Sequence, residues 1–347
     1  MSARSIRSVL KSDRYTVTEV GITPDGAWLS GDSVIEAFES KRYETLHPVI
    51  LLPEPNNAVL YRIRENESAS VLEEITCFDV IFPVLHGTLG EDGTVQGLLE
   101  LADIAYVSGG VLASSVGMDK ALFKEVMRAN GIPVVDSRLF TRRQIETNPQ
   151  DLLPEIEHNL PYPVFVKPAN LGSSVGVSKC RNRSELLCGL SLAAEFDRRV
   201  LVETGIDARE IEVSVLGNEN PRASLPGEII PGDEFYSYRA KYLDDTSRLI
   251  IPAALDEKLV KRVQILAIEA YQLCDCAGMA RVDFLLDRGT NRLFLHEINT
   301  IPGFTKISMY PKLWEASGLS YEDLVHELIN LAIERKQERD RIRRSFI

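Results

Sequence analysis

Residues 279–305 read MARVDFLLDRGTNRLFLHEINTIPGFT. Two apolar-rich segments flank Asp287-Arg288-Gly289-Thr290-Asn291, a turn signal, so the stretch predicts a β-hairpin. Alternation then sorts its side chains. Arg281 and Asp283 share one face, as do Glu297 and Asn299, while Val282, Phe284, Leu295 and Ile298 are expected to bury the other. One cation and three oxygen ligands are thereby presented together. Oxygen-only ligands suit a hard ion such as Mg²⁺ or Mn²⁺, with phosphate oxygens and water completing its shell. Taken alone, RVDF equally suits an ordinary ion pair on a surface hairpin. HEINTIPGFT adds a Glu-x-Asn pair and a Pro-Gly loop whose freed N–H groups suit an anion or an oxyanion.

Upstream, residues 166–179 read VKPANLGSSVGVSK. Lys167 ends a strand and is followed by Gly172, Ser173, Ser174 and Gly176. Glycines let backbone close over phosphate oxygens, hydroxyls and N–H groups donate to them, and Lys167 offsets their charge. By itself such a loop is also a plain hairpin turn. It is not a Walker A loop, since no Gly-Lys-Ser/Thr ending is present and a strand, not a helix, comes next.

The rest of the chain alternates. A helix is expected over 3–11, a strand over Tyr15–Ile22, strands at VILLP (49–53) and DVIFPVLHG (79–87), and helices over 95–101 and 120–129. This pattern predicts an α/β unit on a mainly parallel sheet over 1–119. A central α+β unit is expected over 120–215, including the strands RRVLVET and REIEVSVLG. A third unit is expected over 216–347, with a long loop at 232–250, a helix near 256–274, the hairpin and a last amphipathic helix from Tyr321.

Bulk composition limits the function. The chain has 347 residues, 44% hydrophobic and 26% charged, with 39 basic and 51 acidic residues for a net charge of −12. That length suits two or three packed units, and that acidity argues against nucleic acid or an anionic membrane as partner. No apolar run has the length of a membrane span, and MSARSIRSVLKSDRY has no signal-peptide core, so a cytoplasmic place is expected. Five scattered cysteines form neither a disulfide framework nor a zinc pattern and are expected to be reduced. The absence of a G-x-G-x-x-G after a first strand excludes a dinucleotide-binding dehydrogenase.

Together, LHGTLGEDGTVQGLLEL, SVGMDK, VKPANLGSSVGVSK, EFYSYRAKY, ARVDF and HEINTIPGFT resemble the D-alanine–D-alanine ligase family of ATP-grasp enzymes, from about residue 2 to about residue 333. The resemblance implies three packed units, an ATP-grasp fold behind the N-terminal domain, and ligation of two D-alanines through an acyl phosphate for cell-wall synthesis. It implies ATP, two Mg²⁺ or Mn²⁺ ions and a homodimer. Lys120 and Lys167 would contact ATP phosphates, Ser174 would belong to the phosphate loop, and Glu203 and Glu210 would hold adenine and ribose. Asp283, Glu297 and Asn299 would bind metal. His86 would sit by the first D-alanine, and Arg281 and the Gly303 backbone would stabilise the tetrahedral intermediate. Ser308 would hold the carboxylate of the second D-alanine. Ser173, Lys241 and Tyr242 would close the site through the 232–250 loop, a candidate lid. Tyr242 favours an amino acid over D-lactate as second substrate.

Alone, each of these residues has a plainer reading: Glu203 and Glu210 as acids on strands, His86 as a structural histidine, and EFYSYRAKY as a surface loop. The family usually opens with a strand, a Gly-rich loop and a Glu-Val-Ser segment. Here SARSIRSVL resembles the helix just after them. A start misplaced by roughly 20 residues is expected; a natively short and inactive binding protein is the alternative. D-alanine–D-lactate ligation and another ATP-grasp carboxylate–amine ligation are the remaining rivals.

Overall fold

The computed structural model describes residues 1–65, 69–172, 174–230 and 248–343. The expectations placed on Ser173, Lys241, Tyr242 and residues 232–247 lie outside these.

The first unit runs α1 (Ser2–Arg7), β1 (Val20–Ile22), β2 (Trp28–Ser30), α2 (Val34–Ser40), β3 (His47–Leu51), β4 (Val59–Glu65), β5 (Ser70–Cys77), β6 (Val80–Ile81), α3 (Thr94–Leu101), β7 (Ala105–Tyr106) and α4 (Val111–Met118). Here the sequence reading needs correction. Strands β1 to β5 form one sheet in chain order, each antiparallel to the next. Among the described residues of this unit, parallel pairing is that of β6 with β7. A buried apolar run signals a strand but not its sense, which is set by the connection, and short connections give antiparallel neighbours.

The central unit runs α5 (Lys120–Ala129), β8 (Ser137–Thr141), α6 (Arg142–Thr147), α7 (Leu153–Asn159), β9 (Val164–Pro168), β10 (Ser178–Cys180), α8 (Arg183–Phe196) and β11 (Arg199–Thr204). Its antiparallel sheet has the order β10-β9-β11-β8. One face buries Val164, Val166, Val200 and Val202 against Leu186 and Leu190 of α8 and Ile156 of α7. The other face carries Leu201, which packs on Ala121 of α5. Asp119 accepts from the Leu122 N–H at 2.9 Å and so caps α5.

The third unit runs β12 (Ala208–Leu216), β13 (Arg222–Ala223), β14 (Gly227–Ile230), β15 (Arg248–Ile250), α9 (Glu257–Leu273), β16 (Met279–Asp287), β17 (Leu293–Asn299), α10 (Met309–Ala316) and α11 (Tyr321–Asp340). Its sheet runs β15-β14-β12-β16-β17, with β13 on β12. Strand β12, expected in the central unit, is therefore an interior strand of this one. It pairs along nine residues with β16. Nothing in REIEVSVLG itself says which neighbour it joins.

The two faces of this sheet differ. Ile211, Val213, Val215, Ala280, Val282 and Phe284 point to Val263, Ala267, Ala270 and Tyr271 of α9, an i, i+4, i+7, i+8 stripe. On the opposite face, Leu216 and Met279 pack on Tyr310, Trp314, Leu324 and Leu328 of α10 and α11. Further along that second face the apolar side chains give way to charged ones, and there the site begins. A parallel bridge from Val134 to Leu295, with the Leu295 N–H on Pro133 O at 2.7 Å, ties the central unit to the hairpin.

All five cysteines are free, with Cys180, Cys274 and Cys276 buried. Among the described residues no helix is long and apolar enough to cross a membrane.

Candidate active site

The β16–β17 register sets Arg281 opposite Asn299 and Asp283 opposite Glu297. On β12, Glu210 stands opposite Leu285, Glu212 opposite Asp283 and Ser214 opposite Arg281. Directly paired residues share a face, so Glu210, Glu212, Arg281, Asp283, Glu297 and Asn299 form one polar patch. A register shift follows Asp283, after which Phe284 pairs with Leu295. Strict alternation from Glu297 would put Leu295 on the polar face. The extra residue, His296, reverses the parity, and Leu295 is 1% exposed in the core.

Arg281 binds Asp283 in a fork, Nε to Oδ1 at 2.8 Å and Nη2 to Oδ2 at 2.7 Å. Its Nε also lies 3.0 Å from Glu212 Oε2. Burial works against the guanidinium charge, but Asp283 and Glu212 outweigh it and hold the Arg281 pKa well above its ordinary value. Asn299 Nδ2 donates to Asp283 Oδ2 at 3.0 Å and to Glu297 Oε1 at 3.4 Å. Three carboxylates, Glu212, Asp283 and Glu297, thus gather round one guanidinium. That excess of negative charge, with an amide beside it, fits a hard divalent cation. The signal is an acid–amide one, since no group of three or more His, Cys, Asp or Glu side chains is arranged as a metal site among the described residues. Glu212 carried no role in the sequence reading. Its spacing of two from Glu210 on a strand was the available signal.

A second cluster lies where α5 crosses the central sheet. Lys120 Nζ donates to Leu171 O at 2.7 Å, holding the start of the Gly-rich loop. Lys167 pairs with Glu203 Oε1, and Lys124 Nζ lies 3.2 Å from Glu203 Oε2. Burial alone would raise the Glu203 carboxyl, but Lys124 and Lys167 hold it far below the usual carboxylate range. In the loop itself Ser174 has φ 58° and Gly176 φ 70°. A Cβ on Gly176 would lie 2.8 Å from Phe196 Cδ2 and 2.9 Å from Pro168 Cγ, so only glycine fits there. Gly172 comes down on the first unit, its Cβ position 3.8 Å from Gly87 Cα and from Met118 Cε.

The third group is the loop after β17. His86 Nδ1 lies 3.2 Å from Ile301 O, and burial lowers the pKa of the ring. Ser308 Oγ receives the Thr305 N–H at 3.1 Å and sits 3.2 Å from the Cβ position of Gly303. Ser308 and Gly303 are therefore packed together at the N-terminus of α10.

Two further residues join the clusters. Glu91, in the Gly-rich loop after His86, accepts the Gly87 N–H at 2.5 Å. Burial pushes its carboxyl up to about 7, with Arg281 and Lys120 pulling down and Glu297 pushing up. His296, in the bulge, is pushed down to about 4 by burial and then by Lys167, with Glu203 and Glu297 opposing. Each feels charges from both the hairpin face and the α5 crossing. Neither carried a role in the sequence reading.

Residues 1–109 match the family described as D-ala D-ala ligase N-terminus, and residues 126–330 that described as D-ala D-ala ligase C-terminus. The chain is 47% identical over 341 residues to the D-alanine–D-alanine ligase of Natranaerobius thermophilus, covering 98% of this chain and 92% of that one. It is 50% identical over 343 residues to the enzyme of that name from Thermoanaerobacter pseudethanolicus, covering 98% and 94%. Among solved structures, the D-alanine-D-alanine ligase from Coxiella burnetii aligns with a TM-score of 0.78 at 37% identity, covering 98% of this chain and 90% of that one. VanG D-Ala:D-Ser ligase from Enterococcus faecalis aligns with a TM-score of 0.83 at 32% identity, covering 95% and 94%.

Proposed function

Because this chain belongs to the D-alanine–D-alanine ligase family, we propose that it uses ATP to join two D-alanines into D-alanyl-D-alanine for peptidoglycan synthesis, in the cytoplasm. Its mixed α/β architecture is the ATP-grasp fold behind an N-terminal domain. The observation that carries the reading is the pair of charged walls: the acid-rich hairpin face round Arg281 and the lysine-rich crossing of α5, both felt by Glu91 and His296.

The chemistry asks for both walls. A carboxylate does not acylate an amine at neutral pH, because oxide is a poor leaving group. One carboxylate oxygen of the first D-alanine attacks the terminal phosphorus of ATP, ADP leaves, and an acyl phosphate forms. The amine of the second D-alanine attacks the acyl carbon and gives up a proton. The carbon–oxygen bond to phosphate then breaks, and phosphate departs with that oxygen.

Lys120 and Lys167 offset the phosphate charge. Asp283, Glu297 and the Asn299 amide would hold two Mg²⁺ or Mn²⁺ ions, which when bound supply charge neutralisation at the phosphoryl oxygens. Arg281, aimed by Glu212, and the Gly303 N–H receive the oxyanion. His86, kept neutral, lies beside the first D-alanine, and Ser308 takes the carboxylate of the second. Glu210 lies on the cation wall, suited to a ribose hydroxyl. Glu203 is committed to two lysines, so its part in nucleotide binding runs through Lys167. We assign a homodimer on the family resemblance; a monomer mass in light scattering would contradict it.

The test is ADP release and product mass with D-alanine alone, then with D-serine or D-lactate added. D-serine is the rival set by the likeness to VanG. D-alanyl-D-alanine as the main product in every mixture supports the reading. Preference for D-serine or D-lactate at neutral pH overturns it.

A further inference from the structure

Lys120 and Lys124 stand one turn apart on α5, yet only Lys120 reaches the Gly-rich loop. Lys124 is 1% exposed. Its ammonium faces Glu203 Oε2, while Lys167 holds Oε1. The strand register explains the sharing. Lys167 is paired with Leu201, so Glu203, two residues on, lies diagonally across on the same face. One buried carboxylate is thus divided between two buried lysines. Two lysines share one carboxylate, and burial lowers the Lys124 pKa, with Glu203 opposing and Lys167 adding to the fall; an anionic ligand drawn to Lys167 would ease that crowding of like charge.

We propose that Lys124 is a positioning residue for the nucleotide: by keeping the Glu203 carboxylate occupied, it lets Lys167 exchange that carboxylate for a phosphate oxygen. Lys124 is too deeply buried to meet the ligand itself. Without it, Glu203 has Lys167 as its remaining lysine partner. Drawing Lys167 away would then strand a buried carboxylate, and nucleotide would bind against that cost. The inference rests on the reading of Lys167 as a phosphate ligand.

The test is calorimetric binding of ADP with Mg²⁺ to K124M, E203Q, K124M/E203Q and K167M, alongside the KM for D-alanine. K124M should weaken ADP binding by about tenfold or more and leave the D-alanine KM within about twofold, because the strain falls on Lys167 alone. In the E203Q background no carboxylate competes for Lys167, so adding K124M should change ADP affinity by less than about twofold. The double variant replaces the pair with neutral groups of similar size, which keeps the comparison available if K124M folds poorly. ADP affinity unchanged in K124M overturns the role of Lys124. So does a K124M loss of equal size with and without E203Q, which marks a merely structural lysine. Normal ADP binding by K167M overturns the phosphate reading and the role of Lys124 with it. Loss in K167M with normal binding in K124M overturns the role of Lys124 alone.

Discussion

The hairpin face and the α5 crossing are both buried clusters of charge, and they are unbalanced in opposite directions. On the hairpin face, Glu212 of β12 and Asp283 pair with one guanidinium, Arg281, and Glu297 adds a third negative charge nearby. At the crossing, Lys124 and Lys167 surround one carboxylate, Glu203. A folded protein that only needed stability would pair such charges evenly or replace them with apolar groups. Opposite excesses in two clusters whose charges both reach Glu91 and His296 fit the proposed function, in which cations would sit toward the acid-rich wall and phosphate oxygens toward the lysine-rich one. Each wall also keeps an internal counter-charge that holds its key side chain in position before the ligand arrives.

The largest expected effect removes the cation wall. Glu297→Ala should lower metal-dependent ATP turnover by at least about a hundredfold, since metal coordination accounts for several kcal/mol of barrier. Near-normal turnover across a Mg²⁺ titration would break the comparison. Next is the counter-charge of that wall. Glu212→Leu leaves Arg281 with Asp283 alone among its ion-pair partners on these strands, and should cost about 3 kcal/mol in urea unfolding. A change near zero would show that Glu212 does not hold Arg281.

A smaller effect is expected in the loop between the walls. Gly176→Ala forces a side chain into φ 70° against Phe196 and Pro168 and should cost about 2 kcal/mol by the same measurement. The smallest concerns Glu91, in protein free of divalent cations. Burial pushes its carboxyl up to about 7 in the folded state, from an ordinary value of 4.5. The folded state therefore keeps the proton longer than the unfolded chain. The Glu91 contribution is least unfavourable below 4.5 and worsens as pH rises through 7. Glu91→Gln removes this fall, so the variant should gain about 1–2 kcal/mol on wild type between about pH 5 and about pH 6.5. Parallel stability curves for the two proteins would contradict the burial of Glu91 as a charged group.

The two walls were unequally legible. The hairpin could be read because its information is local: Arg281, Asp283, Glu297 and Asn299 sit at strand alternation beside a turn. Leu295 was expected in the core and lies there, though strict alternation from Glu297 does not explain it. Leu295 belongs to the core because His296 bulges, and a bulge leaves no simple mark in a run such as RLFLHEIN. Lys124 was silent, because lysine at a helical position is ordinarily solvated and its burial depends on a carboxylate contributed from β11. Glu212 was passed over beside Glu210 for a related reason: its partner, Arg281, comes from another strand 69 residues away by numbering (281 − 212). The direction of β1 to β5 and the membership of β12 are likewise matters of tertiary pairing, which hydrophobic runs do not encode.

In the proposed reaction a carboxylate is activated as an acyl phosphate between these two walls. D-alanine labelled with ¹⁸O in its carboxylate should, with ATP and Mg²⁺, give D-alanyl-D-alanine, unlabelled ADP and phosphate carrying one ¹⁸O atom. Phosphate released without the label, or released at the same rate in the absence of D-alanine, would contradict it.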